Sequence, residues 1–281
     1  MTPIEFVLIC FGASIGAGFV GSLLGLGGGL IVIPTLTLAL KVDMRYAIGA
    51  SIVSIIATSS GAAAAYVRER MTSLRVAMVL EVATTLGALT GGYLSGHIPA
   101  RWLFVIFGVV MAGSAVMMLR KRRNAATDEG EGTPWANYLR LNGSYYDAAL
   151  DKEVAYRVVR ARLGLALMYV AGAMSGLLGI GSGVLKVPAM DLGMRLPIKV
   201  SSATSNFMIG VTAAASAGLY FGRGDINPFI AGPVAAGILV GAMIGARVMG
   251  RLQSALIRYV FVAVLLSVSA QMLLKGLKGQ P

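Results

Sequence analysis

The chain has 281 residues, of which 57% are apolar and only 13% are charged, and its mean hydropathy is +0.78. This composition is typical of integral membrane proteins and excludes an ordinary soluble domain. The formal charge is +12, but the Lys and Arg residues lie in short loops between apolar segments. We therefore predict no nucleic-acid binding. The chain contains one cysteine, Cys10, and one histidine, His97, so we expect no disulfide, metal site or cofactor.

A series of apolar segments predicts helices that cross or re-enter a membrane. A helix needs about 20 residues to cross the hydrocarbon core of a bilayer. The segments comprise residues 4–24, 28–40, 46–66, 74–95, 100–119, 163–194, 200–221, 226–247 and 256–276. The first of them lacks the basic flank of a cleaved signal peptide, so we interpret it as a mature helix. The fold class that we predict is an all-α integral membrane protein in contact with the lipid bilayer.

The chain contains an internal repeat. Residues 18–34, GFVGSLLGLGGGLIVIP, align with residues 172–188, GAMSGLLGIGSGVLKVP, at a constant offset of 154. The same ungapped offset joins further identical pairs, namely Ser51/Ser205, Thr58/Thr212, Tyr66/Tyr220, Gly87/Gly241 and Gly91/Gly245. We predict two membrane repeats, each with four to five transmembrane or re-entrant helices. An inverted relation between them is favoured, because inverted copies provide the two interconvertible half-states that alternating access requires.

The repeats define the predicted domain organisation. The first membrane repeat covers residues 1–120 and the second covers residues 163–281. Between them, residues 121–162 form a polar insert with eight basic and six acidic residues. We interpret this insert as a solvated loop or small subdomain. Its many Lys and Arg residues place it in the cytoplasm under the positive-inside rule.

A glycine-rich break interrupts an apolar segment in each repeat. The candidate substrate-binding residues at the two breaks are Gly25, Gly27, Gly28, Gly29 and Pro34 in the first repeat, and Gly179, Gly181, Ser182, Gly183 and Pro188 in the second. Glycine tolerates the backbone conformations that end a helix, and proline removes a hydrogen-bond donor. Non-helical backbone at membrane depth is tolerated only where protein or a water-filled cavity covers it, so two symmetric breaks predict one shared internal site. Free N–H groups there suit an anion.

Close helix packing is the alternative role for all of these glycines. For the two breaks we favour a binding site. For Gly87, Gly91, Gly241 and Gly245, which lie within apolar segments, we favour close packing.

Two ionisable residues fall inside apolar segments, where charge is costly and function is the default interpretation. Lys186 lies between the second break and Pro188, and Glu81 lies in the segment 74–95. We predict that Lys186 offsets the charge of a bound anion and that Glu81 takes up and releases a proton. The alternative for both residues is a structural ion pair, or, for Lys186, a side chain that reaches toward the membrane surface.

Small polar residues cluster after each break. Those included in the candidate site are Ser51, Thr204, Ser205 and Asn206. Their side chains could bind the substrate, or they could bond neighbouring helices, which is the better explanation for most of them.

Several of these motifs together resemble the TauE/SafE family, also called the sulfite exporter or TSUP family. The resemblance rests on residues 25–29 with Pro34, residues 47–51, residues 87–91, the sequences GLLGIGSGVLKVPAM and SSATSNFMIGVTAAASA, and residues 142–147 of the insert. It implies an inner-membrane transporter of sulfite, sulfonates or related small anions that is driven by the proton gradient. Ser182 stands where a third glycine is usual in the family.

We therefore expect a secondary transporter in the cytoplasmic membrane that moves a small sulfur-containing anion, together with protons, by alternating access. A homodimer is compatible with the sequence. The alternative is an anion channel or passive pore, although the sequence offers no ring of like charges to line one. An enzyme is disfavoured, with no catalytic residue expected, because the membrane segments contain no paired carboxylates, Cys/His pair or metal motif.

Overall fold

The computed structural model of the protein describes residues 2–68, 71–119, 134–179 and 182–278. The first repeat folds as α1 (Pro3–Leu24), α2 (Gly29–Pro34), α3 (Met44–Arg68), α4 (Leu74–Ser95) and α5 (Ala100–Leu119). The insert contributes α6 (Pro134–Tyr138), β1 (Gly143–Asp147) and β2 (Lys152–Tyr156). The second repeat folds as α7 (Ala161–Leu178), α8 (Gly183–Pro188), α9 (Ile198–Gly222), α10 (Pro228–Met249) and α11 (Ser254–Lys278).

The predicted fold class is confirmed. Within the described ranges, six helices are long and apolar enough to cross a membrane, namely α1, α4, α5, α7, α10 and α11. The insert adds a feature outside the all-α class, because β1 and β2 pair as an antiparallel hairpin with Gly143 opposite Tyr156 and Asp147 opposite Lys152.

Helix ends follow local sequence signals. Thr2 caps α1 through a reciprocal capping box with Glu5, and Pro3 occupies the first helical position. The helix ends at Gly25, whose φ of 72° lies in the left-handed region. In the second repeat, Gly179 has a φ of 63° and ends α7. The apolar segment predicted over residues 163–194 is therefore two helical pieces, because the chain cannot continue a right-handed helix through such a residue.

Equivalent elements of the two halves begin and end at the same offset of 154 residues that relates the sequences. This holds for both ends of α2 and α8, of α3 and α9, and of α4 and α10. The helices α3 and α9 run antiparallel. Gly49 near the start of α3 packs so closely on Asp225 beyond the end of α9 that a Cβ would collide with the Asp225 carbonyl oxygen. Ser73, beyond the end of α3, donates its N–H to Thr204 Oγ1 near the start of α9 over 3.1 Å. This antiparallel crossing supports the predicted inverted relation.

Small residues allow the closest helix contacts. Helix α1 packs on α10, and its counterpart α7 packs on α4. A Cβ on Gly241 would collide with the carbonyl oxygen of Ile15, and one on Gly91 with that of Ala173. Backbones that approach so closely gain van der Waals contact, which drives helix association where lipid removes the hydrophobic driving force.

The insert packs on the second repeat and on α4. Leu141, Tyr145 and Val158 of the insert belong to a buried apolar cluster that also contains Leu80 of α4 and Met208 of α9. The hairpin therefore covers one end of the helical core and is part of the fold.

Candidate functional site

The two glycine breaks meet in the interior. Gly183 opens α8, and a Cβ there would collide with the carbonyl oxygen of Gly25 in the other break. Gly25 in turn lies against Ser202 of α9, where a Cβ would come within 2.7 Å of the Ser202 Cα. The structure thus brings together the two breaks that the sequence predicted to share one site.

The two breaks differ in local conformation. Gly27 and Gly28 have φ angles of 76° and 67°, whereas Ser182, the counterpart of Gly28, has an ordinary φ of −54°. Gly29 lies against Ser51 Oγ with no space for a side chain. Gly181 lies outside the described residues.

Each predicted proline closes a short helix. Pro34 ends α2 and Pro188 ends α8, and both are buried. A π-helical turn follows each of them, over Thr35–Ala39 and Ala189–Gly193. Proline lacks an N–H group, so the regular hydrogen-bond ladder is interrupted at this point and the helix widens.

Two equivalent serines join the repeats. Ser51 Oγ donates to the carbonyl oxygen of Gly179 over 2.5 Å, and Ser205 Oγ donates to that of Gly25 over 2.7 Å. Each serine therefore satisfies a carbonyl group at the break of the opposite repeat. This is the helix-bonding role that the sequence favoured for most of the small polar residues.

The remaining polar candidates have separate surroundings. Asn206 Nδ2 donates to the carbonyl oxygen of Ser22, close to the first break, over 2.6 Å. Thr204 Oγ1 accepts the N–H of Ser73, which lies beyond the end of α3. The Ser182 hydroxyl and Asn206 Oδ1 are buried and have no hydrogen-bond partner among the residues that the structure describes.

The two ionisable residues selected from the sequence contact each other. Lys186 Nζ lies 3.2 Å from Glu81 Oε2. The Thr212 hydroxyl accepts from Lys186 Nζ over 2.8 Å and donates to Glu81 Oε1 over 2.6 Å. The Lys186 side chain is fully buried, while 13% of the Glu81 side chain is exposed. We call these three residues the charged cluster.

The charged cluster breaks the repeat symmetry. At equivalent positions the other repeat carries Val32 in place of Lys186, and α10 carries Ala235 in place of Glu81. Thr58, the counterpart of Thr212, donates to the carbonyl oxygens of Ser54 and Gly27. A buried lysine without a counter-ion would be costly, so the carboxylate of Glu81 stabilises the charged form of Lys186 in the interior. The ion pair that the sequence offered as the structural alternative is present.

Two further ion pairs, each with a buried carboxylate, were not predicted. Arg258 Nη2 lies 2.6 Å from Asp191 Oδ2, and Lys199 Nζ lies 2.7 Å from Asp147 Oδ1. Asp191 carried a usable signal, because it is an acidic residue inside the apolar segment 163–194, as Glu81 is in its own segment. Asp147 carried none, since its burial depends on how the insert docks.

An all-helical membrane core in which two broken helices meet is typical of multi-pass membrane transporters. Residues 10–272 match the family described as "Sulfite exporter TauE/SafE", and the chain belongs to this family.

Relatives of similar length carry transporter names. The probable membrane transporter protein YunE of Bacillus subtilis is 28% identical over 269 residues, which cover 93% of this chain and 95% of the relative. A probable membrane transporter protein of Xylella fastidiosa (strain Temecula1) is 26% identical over 270 residues, covering 95% of this chain and 94% of the relative. No solved structure gives a significant match. The protein is therefore a membrane transporter.

Proposed function

We propose that the protein is a secondary transporter that moves a small sulfur-containing anion, such as sulfite or an organic sulfonate, across the cytoplasmic membrane together with protons. The observation that carries this proposal is the charged cluster, which places a fully buried ammonium group one helical turn from the point where the two breaks meet. The description of the family as a sulfite exporter supports the substrate class. The anion is expected to cross chemically unchanged.

Charge balance in the cluster provides a route to proton coupling. Without substrate, Glu81 and Lys186 neutralise each other at 3.2 Å. When Glu81 takes up a proton, the Lys186 ammonium loses its counter-ion and an anion can replace the carboxylate. The cluster is therefore electrically neutral both with the Glu81–Lys186 ion pair and with protonated Glu81 and an anion bound to Lys186. An uncompensated charge at membrane depth costs about 2.5–3.5 kcal/mol, so the proton and the anion bind together.

Thr212 connects the two charged groups in this scheme. Its hydroxyl donates to Glu81 and accepts from Lys186. Once Glu81 is protonated, the same hydroxyl is free to donate to the incoming anion. A second donor on the side of the breaks is the hydroxyl of Ser182, the N-cap residue of α8, which has no hydrogen-bond partner among the described residues.

Access to the cluster requires movement of the breaks. The contact between Gly183 and Gly25 leaves no space for a side chain, and therefore none for a ligand between them. The two serine bonds across the repeats also hold this region closed. Separation of the breaks on one side at a time would give alternating access. This contact favours alternating access over the anion channel, because a pore needs a continuous hydrated path.

Flux through proteoliposomes tests the proposal. Vesicles with the purified protein should accumulate radiolabelled sulfite or methanesulfonate when a pH gradient is imposed, and vesicles without protein should not. Collapse of the gradient by a protonophore should abolish accumulation. The absence of flux above that of empty vesicles for every small anion would contradict the proposal, and single-channel steps in planar bilayers would support the channel instead.

A further inference from the structure

A cavity of about 270 Å³ lies at the end of the molecule where α3 begins and where α4 and α9 end. Its polar lining comes from Arg45, Ser95, Tyr220, Arg223 and Asp225. It is smaller than the ~300–1,000 Å³ pockets that hold drug-sized ligands. The space therefore suits a small molecule or ion.

The lining carries a net positive charge. Arg223 is held in place, since its Nε lies 3.0 Å from Asp225 Oδ2, its Nη1 donates to the carbonyl oxygen of Gly92 and its guanidinium stacks on the Tyr220 ring. Asp225 therefore offsets the charge of Arg223. Arg45 is exposed, and within the described part of the chain its guanidinium has no ion pair. Its charge is available to an anion in the cavity.

The repeat symmetry provides an equivalent position in the second repeat for comparison. At the offset of 154, Arg45 corresponds to Lys199, and Gly96 of the cavity wall corresponds to Gly250. Each cation is the second residue of its helix, α3 or α9, and each glycine caps the C-terminus of the neighbouring helix, α4 or α10. Lys199 is buried and donates both to the carbonyl oxygen of Gly250 over 3.2 Å and to a carboxylate oxygen of Asp147 over 2.7 Å.

Asp147 belongs to the hairpin of the insert. Because the insert joins the two repeats, it occurs once in the sequence and supplies a carboxylate at one end of the molecule. Beside Lys199, a carboxylate of the protein itself occupies the space next to the cation. At the equivalent position beside Arg45, that space is a cavity.

We propose that the Arg45 cavity is a second anion site, which takes a small oxyanion with a carboxylate, sulfite or sulfonate group as Lys199 takes the Asp147 carboxylate. Arg45 provides the counter-charge, and the Ser95 hydroxyl lines the same space. Ile48 of the cavity wall contacts Gly179 in the second break. An anion held here is thus separated from the breaks by this contact, and its binding does not depend on transport.

Charge-selective modification of a thiol tests the site. Ser95→Cys, made in a chain that carries Cys10→Ala, places a thiol in the cavity wall. In detergent solution its rates of reaction with sulfonatoethyl and trimethylammonioethyl methanethiosulfonate are compared. Removal of the positive charge by Arg45→Ala should lower the anionic-to-cationic rate ratio by roughly threefold to tenfold. Arg45→Lys should keep most of the ratio, and Arg101→Ala, an exposed cation outside the cavity, should not change it.

Direct binding provides the second measurement and needs no introduced thiol. Equilibrium dialysis with radiolabelled methanesulfonate should show binding to the unmodified chain that Arg45→Ala lowers by one equivalent and that Arg101→Ala leaves unchanged. The double variant Lys186→Met with Glu81→Gln, which removes the charged cluster, should still bind one equivalent. An unchanged rate ratio in Arg45→Ala would overturn the proposal. So would methanesulfonate binding that Lys186→Met with Glu81→Gln abolishes and that Arg45→Ala leaves unchanged, because the anion would then occupy the charged cluster alone.

Discussion

Lys186 Nζ lies 3.2 Å from a carboxylate oxygen of Glu81, although 105 residues separate the two in the chain. Helix α8 supplies the cation, α4 supplies the anion, and Thr212 of α9 bonds both. Each residue had been selected separately because charge inside an apolar segment is costly. Their contact joins two separate candidates in one cluster, and experiments must distinguish a proton-coupling role from that of a structural ion pair.

Glu81→Gln should uncouple transport from protons. The amide cannot take up a proton, so Lys186 stays available to the anion at every pH. We expect that anions are still exchanged across the proteoliposome membrane, whereas uphill accumulation driven by a pH gradient is lost. Glu153→Gln, in the exposed strand of the hairpin, is the matched control and should behave as the unmodified chain. Gradient-driven accumulation that survives in Glu81→Gln would show that the proton binds elsewhere.

Lys186→Met should destabilise the protein and abolish flux. Removing one partner of a buried pair costs about 3–5 kcal/mol, because the other charge is left uncompensated. The double variant Lys186→Met with Glu81→Gln should recover most of the thermal stability in detergent, since no buried charge remains. It should still lack flux. A double variant that transports at the unmodified rate would reduce the ion pair to a structural role.

Gly183→Ala should prevent the two glycine breaks from packing together. The new Cβ would collide with the Gly25 carbonyl oxygen, so we expect a loss of about 1–3 kcal/mol of stability from overpacking, and a loss of flux. Gly16→Ala is the matched control in α1, where no heavy atom lies within 4 Å of the added Cβ. It should be neutral or should stabilise the helix by up to about 1 kcal/mol. Similar thermal stability and flux in the two variants would show that the contact is dispensable.

Docking of the insert should depend on pH only in acid. Burial raises the pKa of Asp147, but the hydrogen bonds from Lys199 and Ala149 and the charge of Lys199 outweigh it, so the net pKa is lowered from the ordinary value of 3.8. The resulting stabilisation is fully present above that ordinary value and is lost as the pH falls through the lower pKa of the folded protein. Protection of residues 143–156 from hydrogen exchange should therefore be constant between about pH 5 and pH 8, and should fall below the ordinary pKa.

The Asp147→Asn variant checks the cause of that pH dependence. It should weaken docking of the insert at neutral pH, because Lys199 loses its counter-ion. It should also reduce the loss of hydrogen-exchange protection that the unmodified chain shows in acid. Asp151→Asn changes an exposed carboxylate of the same hairpin turn and should leave the transition in place. A transition that persists unchanged in Asp147→Asn would assign it to another group.

The elements of this fold were predictable from the sequence to within a few residues. The segments 46–66 and 74–95 correspond to α3 and α4, and even the split of 163–194 was foreseen at the second glycine break. The reason is that lipid leaves backbone groups without water, so a span must be a helix of fixed length and an interruption needs glycine or proline. The β-hairpin of the insert escaped prediction, because a short polar segment outside the membrane is under no such constraint.

The sequence by itself determined the class of protein, the duplication, the position of the two breaks and the presence of costly charges at Lys186 and Glu81. Only the tertiary structure decided which groups meet. The pairing of Lys186 with Glu81, the serine bonds from Ser51 and Ser205 to the opposite breaks, and the Asp147 carboxylate on Lys199 all join distant parts of the chain. Periodicity and composition report the local environment of a segment, whereas such contacts depend on how the helices pack against each other.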